Sequence, residues 1–116
     1  MTLTVYGIKN CDTMKRTFAW LQDQGVDYGF HDYKRAGIDE ARLRTWTQQV
    51  GWQTLLNTRG TTWRGLTETE RAEIDETKAL TLMAAHPSLI KRPVVERSGR
   101  IWVGFDPEVL AKAIRL

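Results

Sequence analysis

The sequence predicts an α/β fold: a four-stranded mixed sheet with helices on its faces, interrupted by an inserted helical subdomain. Three observations predict it. A strand, a helix and a second strand fit within roughly the first 30 residues, which is the size of a βαβ unit. A helical middle follows, from about residue 36 to 86. The chain then closes with a hairpin and a short helix.

The first strand is "TLTVYG", β-branched and aromatic, ending at Gly7. From Asp12 to Gln24 the apolar residues Met14, Phe18 and Leu21 recur at helical spacing, and Gly25 supplies the stop. "VDYGFHDY" then alternates Val26, Tyr28 and Phe30 on one face, as a strand does. A helical crossover makes the two strands parallel neighbours.

The middle is built differently. Leu43, Trp46 and Val50 form one helical stripe that stops at Gly51. "TETE", Thr67 to Glu70, has the spacing of a capping box. Asp75 caps a further helix whose inner residues are Ala79, Leu82 and Met83, with Pro87 as its stop. Between these helices "LLNTRGTTWRG", Leu55 to Gly65, reads as a loop holding two arginines and Trp63, the tryptophan best placed to line a pocket. The end returns to sheet. "PVVERSGRIWVGF" is two strands around a Ser98-Gly99 turn, and "DPEVLAKAIRL" is a helix with Asp106 as cap, Pro107 in its first turn and Leu110, Ala113 and Ile114 inside. In order, this is βαβ, helical insertion, ββα, the plan of a thioredoxin-like domain.

The totals agree with one domain spanning residues 1–116. The chain has 41% apolar and 27% charged residues, near the globular average, so disorder is not expected. A net charge of +3, spread along the chain, gives no footprint for nucleic acid, and the five tryptophans form no base-stacking stripe. No apolar run is long enough to span a membrane, and the N-terminus lacks the pattern of a secretory signal. With one cysteine there is no internal disulfide, and a reducing cytoplasm is the expected compartment. His31 and His86 are not spaced with other ligands, so no metal site and no bound cofactor are expected.

The chemistry therefore falls to Cys11. It follows the first strand and precedes the first helix, where unpaired N–H groups favour an anion. Lys9, Lys15 and Arg16 are near in sequence, Thr13 offers a hydroxyl, and Asp12 opposes the thiolate. The end of a first parallel strand is also where open α/β sheets bind ligands. The alternative, that Cys11 only fills apolar space, stays open at this point.

"VYGIKNCDTMKR", "LLNTRGTTWR" and "HPSLIKRPVVE", in that order and spacing, resemble the arsenate reductase (ArsC) family, and within it the small YffB-like branch, related to the Spx regulators. The resemblance runs from the first strand to the last helix. It implies a thioredoxin-like fold with an inserted helical subdomain and Cys11 as the redox nucleophile. It also implies a ligand site made with Arg59, Arg92 and Pro93, in which Pro93 is the cis-proline, Arg92 exposes its backbone to an extended peptide, and Arg59 matches an anion-binding arginine; Asn10 and Thr13, beside Cys11, are expected to join them in binding glutathione. Two family features are missing. "IWVGFDPE" holds no arginine after the hairpin, and no histidine stands before the cysteine. Met14 stands where Spx regulators carry the second cysteine of their switch.

With one thiol, the simplest cycle uses glutathione as co-substrate. Cys11 would form a mixed disulfide that a second glutathione resolves. The expectation is a glutathione-dependent thiol-disulfide reductase acting on small or protein disulfides, with glutaredoxin as a further thiol partner. The alternatives are an arsenate reductase using external glutathione or glutaredoxin, and a non-catalytic Spx-like interaction protein.

Overall fold

The computed structural model describes residues 3–115. The chain divides into two compact units, one running up to Ala36 and resuming at Arg92, the other Gly37–Lys91.

The first unit holds the sheet, with strands β1 (Leu3–Gly7), β2 (Tyr28–Asp32), β3 (Val94–Arg97) and β4 (Arg100–Val103) in the order β2-β1-β3-β4. β1 and β2 are parallel, pairing Val5 with Phe30 and Tyr6 with His31. β1 and β3, and β3 and β4, are antiparallel. Helices α1 (Asp12–Asp23) and α8 (Pro107–Ile114) share a single core with the sheet: Leu3, Val5 and Val95 from the strands, Met14 and Leu21 from α1, Leu110 and Ala113 from α8. Both helices therefore cover the same sheet face. Alternation explains the selection: Val5 points into this core, while Tyr6 turns to the opposite face and packs at a tilt against His31. Each fully buried aliphatic side chain here contributes about 1.5–3 kcal/mol of transfer free energy.

Local chemistry sets the ends of these elements. α1 stops where Gly25 takes a φ of +68°, its N–H donating to the Gln22 carbonyl. The hairpin turns through Ser98 and Gly99, both at positive φ, as a two-residue turn between twisted strands requires. Asp106 caps α8 by accepting the Glu108 N–H, and Arg97 caps its far end by donating to the Ala113 and Ile114 carbonyls.

The second unit is helical. Its elements are α3 (Glu40–Val50), α4 (Trp52–Leu55), α5 (Thr61–Arg64), α6 (Glu68–Arg71), α7 (Glu76–Ala85) and a 3₁₀ turn (Pro87–Leu89). Leu43 and Trp46 of α3 and Ala79, Leu82 and Met83 of α7 are buried. Asp39 and Asp75 cap α3 and α7, and Thr67 and Glu70 close the capping box of α6. The stretch expected to be loop, Leu55 to Gly65, is more ordered than its glycines suggest. It contains the turn α5 and is held by an isolated bridge between Leu56 and Ile90. Short helical turns carry too few apolar positions to register as periodicity. Residues Tyr33–Ala36, a single turn α2, complete the first unit. No helix among the described residues is long and apolar enough to cross a membrane.

Candidate active site

Cys11 occupies the N-cap of α1, with extended backbone (φ −110°, ψ 135°) and its carbonyl accepting the Lys15 N–H. Asn10 before it sits at a φ of +60°, a conformation asparagine tolerates better than most residues. This kink carries the chain from the end of β1 into the helix and leaves the sulfur half-buried at the helix start.

Burial pushes the Cys11 thiol up, and three groups outweigh it. The backbone N–H groups of Met14 and Thr13 favour the anion, as does the Arg92 guanidinium by charge and by hydrogen bond, so the thiol is held below its ordinary value. The first two belong to the N-terminus of α1, whose unpaired donors favour an anion nearby although the Cys11 side chain makes no capping hydrogen bond. The cation at the sulfur is thus Arg92, which sequence proximity did not suggest. Thr13 acts on the sulfur through its N–H, and its carbonyl accepts the Thr17 hydroxyl.

Arg92 is joined to Pro93 by a cis peptide bond. Pro93 is buried, and its carbonyl accepts the Gly104 N–H, tying the start of β3 to the end of β4. Tyr33 lies near the same guanidinium. Burial and the neighbouring Tyr6 push its phenol far up, while Arg92 pulls it down. The Tyr33 hydroxyl is buried without a hydrogen-bond partner. Tyr6 by contrast donates to Glu96.

Met14 is fully buried and packs on Gly7, where a Cβ would collide with its thioether. Neither Tyr33 nor the Gly7–Met14 pair was singled out from sequence as part of this neighbourhood. A glycine ending a strand and a tyrosine starting a turn both have ordinary local explanations.

Asn10, Cys11, Thr13, Arg92 and Pro93 thus belong to the sheet unit. Arg59 belongs to the helical unit. Its N–H donates to the Asn57 side chain and its carbonyl accepts from Arg64, so the loop backbone is pinned. With Trp52, Leu56, Asn57 and Lys91 it lines a recess of about 510 Å³. The tryptophan in that wall is Trp52 and not Trp63. Among the described residues, no group of three histidine, cysteine or carboxylate side chains is arranged to hold a metal ion.

A parallel-then-antiparallel sheet, a cysteine at the N-terminus of the first helix and a cis-proline at the start of β3 define a thioredoxin-like protein with one thiol. The chain belongs to the ArsC family, whose model matches residues 6–113. It is similar to the solved structure of the YFFB protein, with 54% identity, a TM-score of 0.93 and coverage of 97% of this chain and 98% of the other. It is also similar to the solution structure of an arsenate reductase (ArsC) related protein from Brucella melitensis, with 49% identity, a TM-score of 0.78 and coverage of 100% and 97%. A more distant relative is the global transcriptional regulator Spx 2 of Bacillus cereus, 25% identical over 113 residues that cover 93% of this chain and 83% of that one.

Proposed function

We propose that this protein is a glutathione-dependent thiol-disulfide reductase whose only nucleophile is Cys11. The observation that carries this reading is the thiol held below its ordinary value by the Met14 and Thr13 N–H groups and by Arg92. The Cys11 thiolate attacks the glutathione sulfur of a mixed disulfide. That S–S bond breaks, the substrate leaves as a thiolate that takes a proton from water, and Cys11 carries glutathione. A second glutathione thiolate attacks the glutathione sulfur of this adduct. Cys11 returns as thiolate and glutathione disulfide departs. Arg92 favours the leaving Cys11 thiolate in the second step as it favours the attacking one in the first. Small and protein disulfides are the substrate class, with glutaredoxin as an additional thiol donor and no resident cofactor.

The test is adduct formation. Incubated with glutathione disulfide, the wild-type chain gains one glutathione by mass spectrometry, and reduced glutathione removes it. Cys11→Ser gains none. A wild-type chain that stays unmodified overturns the proposal.

A second reading, arsenate reduction with external glutathione, is favoured by the name of the Brucella relative and by Arg92 beside the thiol. Against it stands the lack of an arginine between Ile101 and Glu108. Arsenate-dependent oxidation of glutathione, absent in Cys11→Ser, separates it from the first.

A further inference from the structure

The sheet unit carries a second recess, of about 340 Å³, at the carboxyl ends of the parallel strands β1 and β2. Lys9, Phe30, His31, Asp32, Arg35 and Ala36 line it. Lys9 precedes Cys11 by two residues, so their Cα atoms are at most about 7 Å apart. The crevice outside the carboxyl ends of strands is where open α/β sheets place their ligands.

The walls of this recess are fixed and its cations are not. Phe30, although 37% exposed, is held edge-on by Phe18 at 5.1 Å. The His31 ring lies tilted against Tyr6 at 4.9 Å and meets Tyr33 edge-on at 5.9 Å. Asp32 accepts the Lys34 N–H, which sets its carboxylate. Lys9 and Arg35 are different: among the described residues no hydrogen bond or carboxylate engages either side chain. Two unspent cations and one oriented carboxylate thus surround a preformed apolar wall. Glutathione carries the complement, two carboxylates and one ammonium on a short flexible backbone.

The geometry points to this recess as the seat of the glutathione backbone, with Lys9 and Arg35 pairing with its carboxylates, Asp32 with its ammonium, and Phe30 covering its methylenes. The inference rests on the glutathione reading and deepens it by naming where the tripeptide lies. Charge complementarity of this kind sets specificity and on-rate. It therefore predicts a preference for charged glutathione disulfides over neutral small disulfides.

The probe is S-methylglutathione, which keeps all three charges and cannot exchange. It is titrated into ¹⁵N-labelled Cys11→Ser protein, so that binding is read apart from thiol chemistry. The expected result is amide shifts clustered at Lys9 and from Phe30 to Ala36, with affinity about tenfold or more weaker in a variant that adds Lys9→Glu and Arg35→Glu. Shifts that cluster elsewhere, equal affinity in that variant, or equal shifts with acetate at matched ionic strength each overturn the inference. The spectrum of the variant reports its folding directly. Adduct formation on wild-type Cys11 remains the separate test of the reductase reading, so the two fail independently.

Discussion

The Arg92 guanidinium acts on the Cys11 sulfur although the two residues come from opposite ends of the chain. Replacing Arg92 by glutamine removes that charge. The thiol then titrates higher, as followed by thiolate ultraviolet absorbance, and alkylation by iodoacetamide at neutral pH slows several-fold. Arg92→Lys retains part of the effect, because a lysine supplies charge without the planar fork of donors.

The same depressed thiol has a consequence for stability. The folded chain releases this proton below the ordinary value of 9.0, whereas the unfolded chain releases it near that value. Between the two the unfolded state holds more protons, so stability rises with pH. The contribution is fully present above the unfolded value and is lost as pH falls through the folded one. Melting temperatures of wild type and Cys11→Ser across this window are expected to diverge in favour of wild type as pH rises. A constant difference would show that the thiol titrates alike in both states.

Tyr33 buries a hydroxyl that no partner satisfies. An unsatisfied buried hydroxyl costs about 1–3 kcal/mol, so Tyr33→Phe is expected to leave stability unchanged or to raise it. Urea denaturation measures this. A loss above about 1 kcal/mol would mean that the hydroxyl is satisfied in solution, by ordered water for example.

Arg97 donates to two carbonyls at the end of α8 and so links β3 to that helix. Charged hydrogen bonds contribute about 1.5–3 kcal/mol. Arg97→Met is expected to lower stability by an amount in that range and to speed amide exchange in α8 more than in β1.

Gly7 is filled from outside by Met14. Gly7→Ala forces the thioether to move, and because this is the far end of a flexible though fully buried side chain the cost is expected at the low end of overpacking, about 1 kcal/mol. Because Met14 also supplies an N–H to the Cys11 site, alkylation kinetics should change together with stability.

Much of the fold was legible in the sequence because its signals are local. The Thr67 capping box, the Ser98-Gly99 turn and the Asp106 cap each depend on residues within four positions of one another, and the βαβ start follows from three consecutive elements each marked by its own period. Two things were not legible. The turns between Trp52 and Arg64 are too short to show a period. The set of charges acting on Cys11 is tertiary: Lys9, Lys15 and Arg16 are its neighbours in sequence, yet the cation that acts on it is Arg92. Only the resemblance pointed to Arg92, since nothing local marks one arginine among the other basic residues. Lys9 lines a recess that the end of β2 completes, a juxtaposition that its place in the sequence does not show.

The Gly7–Met14 contact also constrains how this chain could diverge. The two positions share one volume, so a shorter side chain at 14, cysteine or serine, leaves a gap that something larger than glycine at 7 would fill. Homologues are therefore expected to vary the two sites as a compensating pair. A chain acquiring a dithiol by Met14→Cys alone should be less stable than one that also carries Gly7→Ala or Gly7→Thr.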